Sequence, residues 1–390
     1  MQRTSQGRTV SLQILNHARS AFIPNALPPE PPVRVSTDLA AQFDEAMLSL
    51  GHFSGVLATL EDRDTIAAHM ARVEAQLSCA LDGITVELGD LYLLELGCTL
   101  CGEMPQAELV QCYEESLSAA FERLSDRAAL LESILQLHGG LFTPEQRPLD
   151  AARWRTGFSL SDEAEALGEG GALLPPPAAE VPRLMNEWEG FVHSTCGSFS
   201  TIPTVGLAHL QFDVIQPFSV GSGRMCRAVT SLLLGERGMK SARSLPLSYY
   251  LYQHREAYRQ VLKNVPVQGD WELCLSFIAK ALAAGAQHGA RVATALQQKL
   301  KDDQLAVGKN GRQATSMLAV LSAFAKHPIT TGTELSALTG LMPMTVNKAL
   351  SSLIREGIVK ELTGQRRWRI YSYTGLIDIL VEGTGITSCY

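Results

Sequence analysis

No apolar run in this 390-residue chain approaches the ~20 residues that a bilayer-spanning helix requires. Its start also lacks the apolar core and small-residue cleavage site of a signal peptide. These absences make the cytosol the expected compartment and leave no membrane partner. There is no internal repeat of solenoid period and no long low-complexity tract, which excludes stacked-repeat folds. Cysteine is sparse: of eight, only Cys98, Cys101 and Cys112 cluster, and their leucine-rich surroundings supply no fourth ligand at zinc spacing. Free, mostly buried thiols are therefore expected, and no metal site. With 19% charged and 46% hydrophobic residues, the chain reads as globular with room for two or three domains.

What is present is mostly helical periodicity. Ser36 or Thr37 caps a helix through about Leu50. From Asp64 to Leu81, Ile66, Met70, Val73, Leu77 and Leu81 recur at three and four residues, an amphipathic helix stopped by Gly83. Helices are expected over 107–124, 127–137, 246–263 and 271 to about 300. Residues 1–35 are poor in periodic pattern, and within them the proline-bearing FIPNALPPEPPV is expected as an extended arm over a domain or a linker into it, while the Gly- and Pro-rich 141–180 reads as a loop.

The chain is organised around residues 209–227, HLQFDVIQPFSVGSGRMCR. A helix with Val205, Ala208, Leu210, Phe212 and Ile215 on its apolar face is ended by Pro217. Gly221, Ser222 and Gly223 then form a turn that re-enters helix at Arg224, running to about Arg237. Backbone N–H groups converge at such a helix start with the positive end of the helix dipole, which suits phosphate oxygens. Arg224 and Arg227, at i and i+3, add two guanidinium groups on one face. His209 lies roughly 10 Å before Gln216 along the helix, so it is expected to be a packing histidine.

This stretch resembles the signature of Fic-type adenylyltransferases, His-Pro-Phe-x-(Asp or Glu)-Gly-Asn-Gly-Arg-x-x-Arg. Pro217, Phe218, Gly221, Gly223, Arg224 and Arg227 match it. Three positions depart. Gln216 stands where the resemblance implies a histidine that takes the proton from the target hydroxyl, and an amide has no usable basicity near neutral pH. Val220 replaces the carboxylate that holds Mg²⁺ in the family, a hard cation that needs oxygen ligands. Ser222 replaces a phosphate-contacting asparagine, and its hydroxyl is expected to keep that contact at shorter reach.

A second resemblance lies at the end of the 64–81 helix. SCALDG resembles the family's self-inhibition motif, (Ser or Thr)-x-x-x-Glu-(Gly or Asn), with Ser78 and Asp82 at its key positions. In the family that acid pairs with the second arginine, here Arg227, and blocks the γ-phosphate position. Asp82 is one methylene shorter, so a stretched or water-bridged pair is expected. Residues 154–161 resemble the family's hairpin flap that aligns target peptides, with Trp154 and Arg155 as the matching residues.

Between 311 and 373 there are eight Lys and Arg against three Asp and Glu, a net of +5 within a chain of formal charge −7, which leaves −12 on the rest. The pattern is helix (314–326), helix (333–339), turn at Gly340, helix (344–356), then a hairpin around Thr363-Gly364, the order of a winged helix-turn-helix. Many Fic proteins end in a similar module. Thr345, Asn347, Lys348 and Ser351 are then expected on a recognition helix, with Arg366, Arg367 and Arg369 on the wing, where phosphates are met.

The expected fold is therefore mainly α: a Fic-type helical core with a small β-hairpin flap, plus a C-terminal winged helix-turn-helix. The expected division is 1–110 for the arm and inhibitory helix, 111–305 for the Fic core and 311–380 for the winged helix. The resemblance implies ATP or another nucleotide as ligand. Three functions stay open: an enzyme moving AMP, or another phosphate group, to a protein hydroxyl; a lapsed, nucleotide-binding relative; and a DNA-binding regulator using the Fic body as sensor or homodimer platform.

Overall fold

The computed structural model describes residues 6–14, 17–97, 104–124, 130–158, 174–194, 201–365 and 368–386. Fifteen α-helices lie among them. The chain begins with a hairpin, β1 (Gly7–Ile14) and β2 (His17–Pro24). The body follows as α1 (Thr37–Thr59), α2 (Arg63–Leu81), α3 (Leu88–Glu95), α4 (Pro105–Arg123), α5 (Leu130–Gly139), α6 (Val181–Ser194), α7 (Thr201–Ile215), α8 (Ser222–Glu236), α9 (Leu247–Gln253), α10 (Arg255–Gln268) and α11 (Trp271–Gly308). A C-terminal module adds α12 (Ala314–Lys326), β3 (Ile329–Thr331), α13 (Gly332–Thr339), α14 (Pro343–Arg355), β4 (Lys360–Glu361), β5 (Ile370–Ser372) and α15 (Thr374–Val381).

The spine is α7. The sequence shows one apolar face, yet every residue from Ile202 to Phe212 is buried, so the helix is packed on all sides. Such burial demands partners for its polar groups. His209, the packing histidine, has them: its ring nitrogens lie 2.7 Å from Thr230 Oγ1 and 2.9 Å from Tyr258 Oη, and burial lowers its pKa to about 3. Gly206 lets α11 approach, since a Cβ there would stand 2.6 Å from Leu275 Cδ2. The 38-residue α11 runs along α1 and also touches α2, α7, α9, α10, α12 and α15. Caps fix both long helices: Ser36 Oγ accepts from Leu39 N on α1, and Asp270 Oδ1 accepts from Leu273 N on α11.

Residues 25–35, most of the expected arm, hold no helix or strand, but the segment before them is ordered in a way its weak periodicity did not announce. Residues 7–24 form an antiparallel hairpin, pairing Gly7 with Pro24 through to Ile14 with His17. Its signal was period-two alternation: Val10 and Leu12 are half-buried while Thr9, Ser11 and Gln13 are exposed. Leu174 extends the hairpin by a parallel bridge to Ala21. The stretch 154–158, expected to begin a flap hairpin, contains no strand, and 159–161 lie outside the described residues. The expected helix over 246–263 is broken at His254, which separates α9 from α10. Cys98 and Cys101 also lie outside the described residues.

In the C-terminal module, β5 sits between β3 and β4, all antiparallel. Three residues of β3 and the closing helix α15 went unread, because so short a strand leaves no periodic trace. The module shares the apolar core of the body. Tyr373 donates to Asp303 Oδ2 on α11, which also holds Lys299 Nζ at 2.8 Å.

Candidate nucleotide site

Pro217 removes the N–H that would continue α7, and the helix ends at Ile215. Its last carbonyls then need donors. Arg155 supplies them from the loop: Nε donates to Gln216 O at 2.6 Å, Nη2 to Ile215 O at 3.3 Å and Pro176 O at 2.5 Å, and Nη1 to Gly157 O at 3.1 Å. A buried cation at a helix C-terminus also complements the dipole. Arg155 thus faces inward and clamps the turn that holds Gln216 in a left-handed conformation, φ 44. Trp154 packs beside Phe218, ring centroids 5.4 Å apart.

His138, which the sequence pattern did not single out, anchors the same turn. Its ring stacks on Phe218 at 3.8 Å, Nε2 donates to Val220 O at 3.0 Å, and Nδ1 accepts from Ala152 N at 3.2 Å. Burial lowers its pKa to about 4. With both nitrogens engaged, this histidine offers no lone pair to a substrate hydroxyl. The stacking partner Phe218 belonged to the motif, but nothing in the spacing pointed to residue 138.

Gly221 takes φ 79, the left-handed entry that starts α8 two residues earlier than expected, at Ser222. Ser222 does not face the anion position. Its hydroxyl donates to Phe218 O at 2.9 Å and accepts from Phe218 N at 3.2 Å, because so short a side chain folds back onto its own loop. Val220 is exposed and offers a cation nothing.

Across the turn lies the end of α2. Asp82 Oδ1 is 2.7 Å from Arg227 Nη2, so the stretched or water-bridged pair expected of the shorter acid is replaced by a direct one. Close approach of the two backbones makes up the missing methylene. Gly223 permits it, since a Cβ there would stand 2.8 Å from Asp82 Oδ1. Ser78 completes the grip, accepting from Arg227 Nε through Oγ and from Nη2 through its carbonyl, both at 2.7 Å. Burial works against the charge of Arg227, but Asp82 together with Tyr258 and Tyr113 more than offsets it, and its pKa is raised.

Asp82 Oδ2 accepts from Arg224 N at 3.3 Å and lies 3.3 Å from Arg224 Nε without hydrogen-bond alignment. The carboxylate therefore sits on the N-terminus of α8, where an anion is favoured. Arg224 is 3% exposed, and its Nε and Nη1 make no hydrogen bond among the described residues. One group went unread from sequence: Asp213, one turn before Gln216, whose pKa burial raises to about 7 despite the charge of Arg227.

Nothing here suits Mg²⁺ as the family holds it, because Val220 lacks oxygen and Asp82 is tied to two arginines. A nucleotide's phosphates do suit the site, since their oxygens would satisfy the idle donors of Arg224.

The remaining residues singled out in the sequence lie on the C-terminal module. Asn347, Lys348 and Ser351 are exposed on α14, and Thr345 is half-buried. Arg369 is exposed beside Glu361, 3.5 Å away, whereas Arg366 and Arg367 lie outside the described residues. Among the described residues no helix is long and apolar enough to cross a membrane.

Comparison with known families places these features. Residues 40–122 match the model of the Fic/DOC family N-terminal region, and residues 124–234 that of the Fic/DOC family itself. Among solved structures, a Fic family protein from Desulfovibrio desulfuricans G20 superposes with TM-score 0.54 at 19% identity, covering 89% of this chain and 99% of that one. A Fic domain containing signaling protein from Bacteroides thetaiotaomicron VPI-5482 gives 0.47 at 15% identity over 66% of this chain and 98% of that chain. Fic-1 (residues 134–508) from C. elegans gives 0.48 at 19% identity over 67% and 74%. Fic domains generally transfer nucleotide-derived groups to proteins. The two family matches, over residues 40–122 and 124–234, show that this chain carries a Fic domain preceded by the family's N-terminal region, with Gln216, Val220 and Ser222 departing from the family signature.

Proposed function

We propose that this protein binds a phosphate-bearing nucleotide between Arg224 and Arg227, transfers AMP weakly or not at all, and acts as a regulator. The observation that carries the binding half is the pair of buried, unsatisfied Arg224 nitrogens beside the N-terminus of α8. A buried guanidinium with idle donors costs about 1–3 kcal/mol or more, which a phosphate oxygen would recover. Until then Asp82 stands in the anion's place. A ligand must displace it, so affinity is set by competition between phosphate and carboxylate for the same arginines.

The weak-transfer half rests on proton chemistry. Gln216 accepts a hydrogen bond but no proton, and His138, the nearby imidazole, is fully engaged in the loop. Asp213 is the remaining titratable group on this helix turn, and burial favours its protonated form, raising its pKa to about 7 against the pull of Arg227. The test is calorimetry of ATP against wild type, Asp82→Ala and Arg224→Ala, alongside incubation with α-labelled ATP. Saturable binding that Asp82→Ala strengthens and Arg224→Ala abolishes, without label transfer by the wild type, is the expected pattern. Strong wild-type labelling that requires Arg224 would defeat it.

A second reading concerns residues 311–380, which we take as a winged helix-turn-helix that contacts DNA. Asn347 and Lys348 stand exposed on one face of α14, the position of base-reading side chains. Binding of the full chain to genomic fragments should fall steeply with salt. Arg369→Ala should weaken all sequences alike, and Asn347→Ala should alter preference among them. Self-association through this face with no DNA shift at low salt would make it a protein contact, a role its exposed Met342 and Met344 also suit.

A further inference from the structure

The helix that carries Asp82 touches two distant parts of the molecule. At its C-terminal end α2 presents Ser78 and Asp82 to the arginines. Thirteen residues earlier, about 20 Å away along the axis at 1.5 Å per residue, His69 faces the C-terminal module. Its Nε2 lies 2.8 Å from Ala325 O, at the end of α12, and its Nδ1 2.7 Å from Tyr92 Oη on α3. Since a carbonyl only accepts, Nε2 carries the proton and Nδ1 accepts from the tyrosine. Burial lowers the pKa of this histidine to about 4, so it stays neutral and holds one tautomer at pH 7.

Other contacts follow the same path. Met70 and Val73 of α2 line a small apolar gap with Leu380 of α15. The strand β3 packs against α3, and α15 against both α2 and α3. Between the two ends α2 is held without slack. Glu74 accepts from Ser248 N and Oγ at 2.8 and 2.6 Å, and Gln76 Nε2 donates to Val86 O at 2.7 Å. Of residues 69–79 every one but Arg72 is buried, and Arg72 is fixed by Glu95 and Glu114. A close-packed rod transmits displacement instead of absorbing it.

We infer that α2 couples the arginine pocket to the seat of the C-terminal module, so that releasing Asp82 loosens the contact at His69 and loosening that contact releases Asp82. For ligands this rests on the nucleotide reading above, but the mechanical coupling does not. The two directions must be equal in free energy, because linkage is reciprocal. The module's seat thereby reports whether the pocket is braked or open. Any partner that pulls the module from its seat would release the brake.

Two arms on the full-length protein test this. Without ligand, amide hydrogen exchange is compared between wild type and Asp82→Ala. Exchange over 323–331 and 370–373 should accelerate at least about fivefold, the lower end of ordinary allosteric coupling, while 184–192 in α6 stays unchanged. If acceleration is confined to 76–86 and 221–228, the end of α2 frays locally and the inference falls. In the second arm Tyr92→Phe, which keeps the ring and removes only the bond to His69, is titrated with ATP. Its affinity should rise about fivefold over wild type, as should that of Tyr373→Phe, which frees the module from Asp303. Unchanged affinity in both variants, with binding measurable, overturns the coupling. If no variant binds ATP at all, the nucleotide reading fails by itself, and the exchange arm still decides the coupling.

Discussion

Adding one methyl group at Gly223 probes the contact on which the pocket is built. Gly223 lies in α8 at an ordinary helical φ, so alanine is acceptable to the backbone and favoured by helix propensity by about 1 kcal/mol. Against that, the new Cβ would stand 2.8 Å from Asp82 Oδ1 and 3.2 Å from Arg227 Nη1. The carboxylate must retreat, and overpacking of this kind costs about 1–3 kcal/mol. Retreat also stretches the 2.7 Å ion pair to a buried arginine. The net expectation is a loss of about 1–2 kcal/mol in the wild-type background. With Asp82→Ala already present, only the 3.2 Å approach to Arg227 Nη1 is left, and the same methyl should be neutral or stabilise by up to about 1 kcal/mol. Denaturant unfolding of the four proteins measures this as a double-mutant cycle with an interaction of about 1–3 kcal/mol. If Gly223→Ala has the same effect in both backgrounds, within about 0.5 kcal/mol, Asp82 does not lie where the pocket account needs it.

Three further outcomes are expected. Restoring the motif with Gln216→His, Val220→Asp and Ser222→Asn should raise AMP transfer above the wild type, read by incorporation of α-labelled ATP, whereas Gln216→His alone should return less because the metal ligand is still missing. Arg155→Ala removes donors from four carbonyls at the turn and should cost about 3 kcal/mol or more, seen as a lower unfolding midpoint, with Arg155→Lys recovering only part since one ammonium cannot span that fan. Burial raises the pKa of Glu74 from 4.5 to about 7, so over that window the folded state holds a proton that the unfolded chain gives up, and stability falls as pH rises. Glu74→Gln should therefore gain on wild type steadily between about pH 4.5 and 7 in parallel melts, and a constant difference would show that Glu74 folds in ionised.

The helical body was legible wherever apolar spacing was strong, as in α2, where Ile66, Met70, Val73 and Leu77 are all buried. Spacing also marked the Gly221 turn, because a left-handed residue before a helix has few substitutes. The hairpin at 7–24 was missed because the prolines after it dominated the segment, although Val10 and Leu12 alternate as a strand requires. Two parts of the site could not be read at all. His138 joins the motif across 82 residues of sequence, and stacking on Phe218 leaves no local pattern. The direct Asp82–Arg227 bond depends on how closely α2 and α8 approach, a tertiary quantity that side-chain length alone misjudged. Ser222 was misjudged for the opposite reason: a short hydroxyl finds its own loop before it finds a ligand.

The central claim is that the two buried arginines still receive a phosphate-bearing nucleotide once Asp82 yields. Isothermal titration of ATP into Asp82→Ala, with Asp82→Ala/Arg224→Ala as its reference, tests it most directly. The account predicts saturable, one-site heat in the first protein and none in the second. Equal heats in both, or no heat in either, would contradict it.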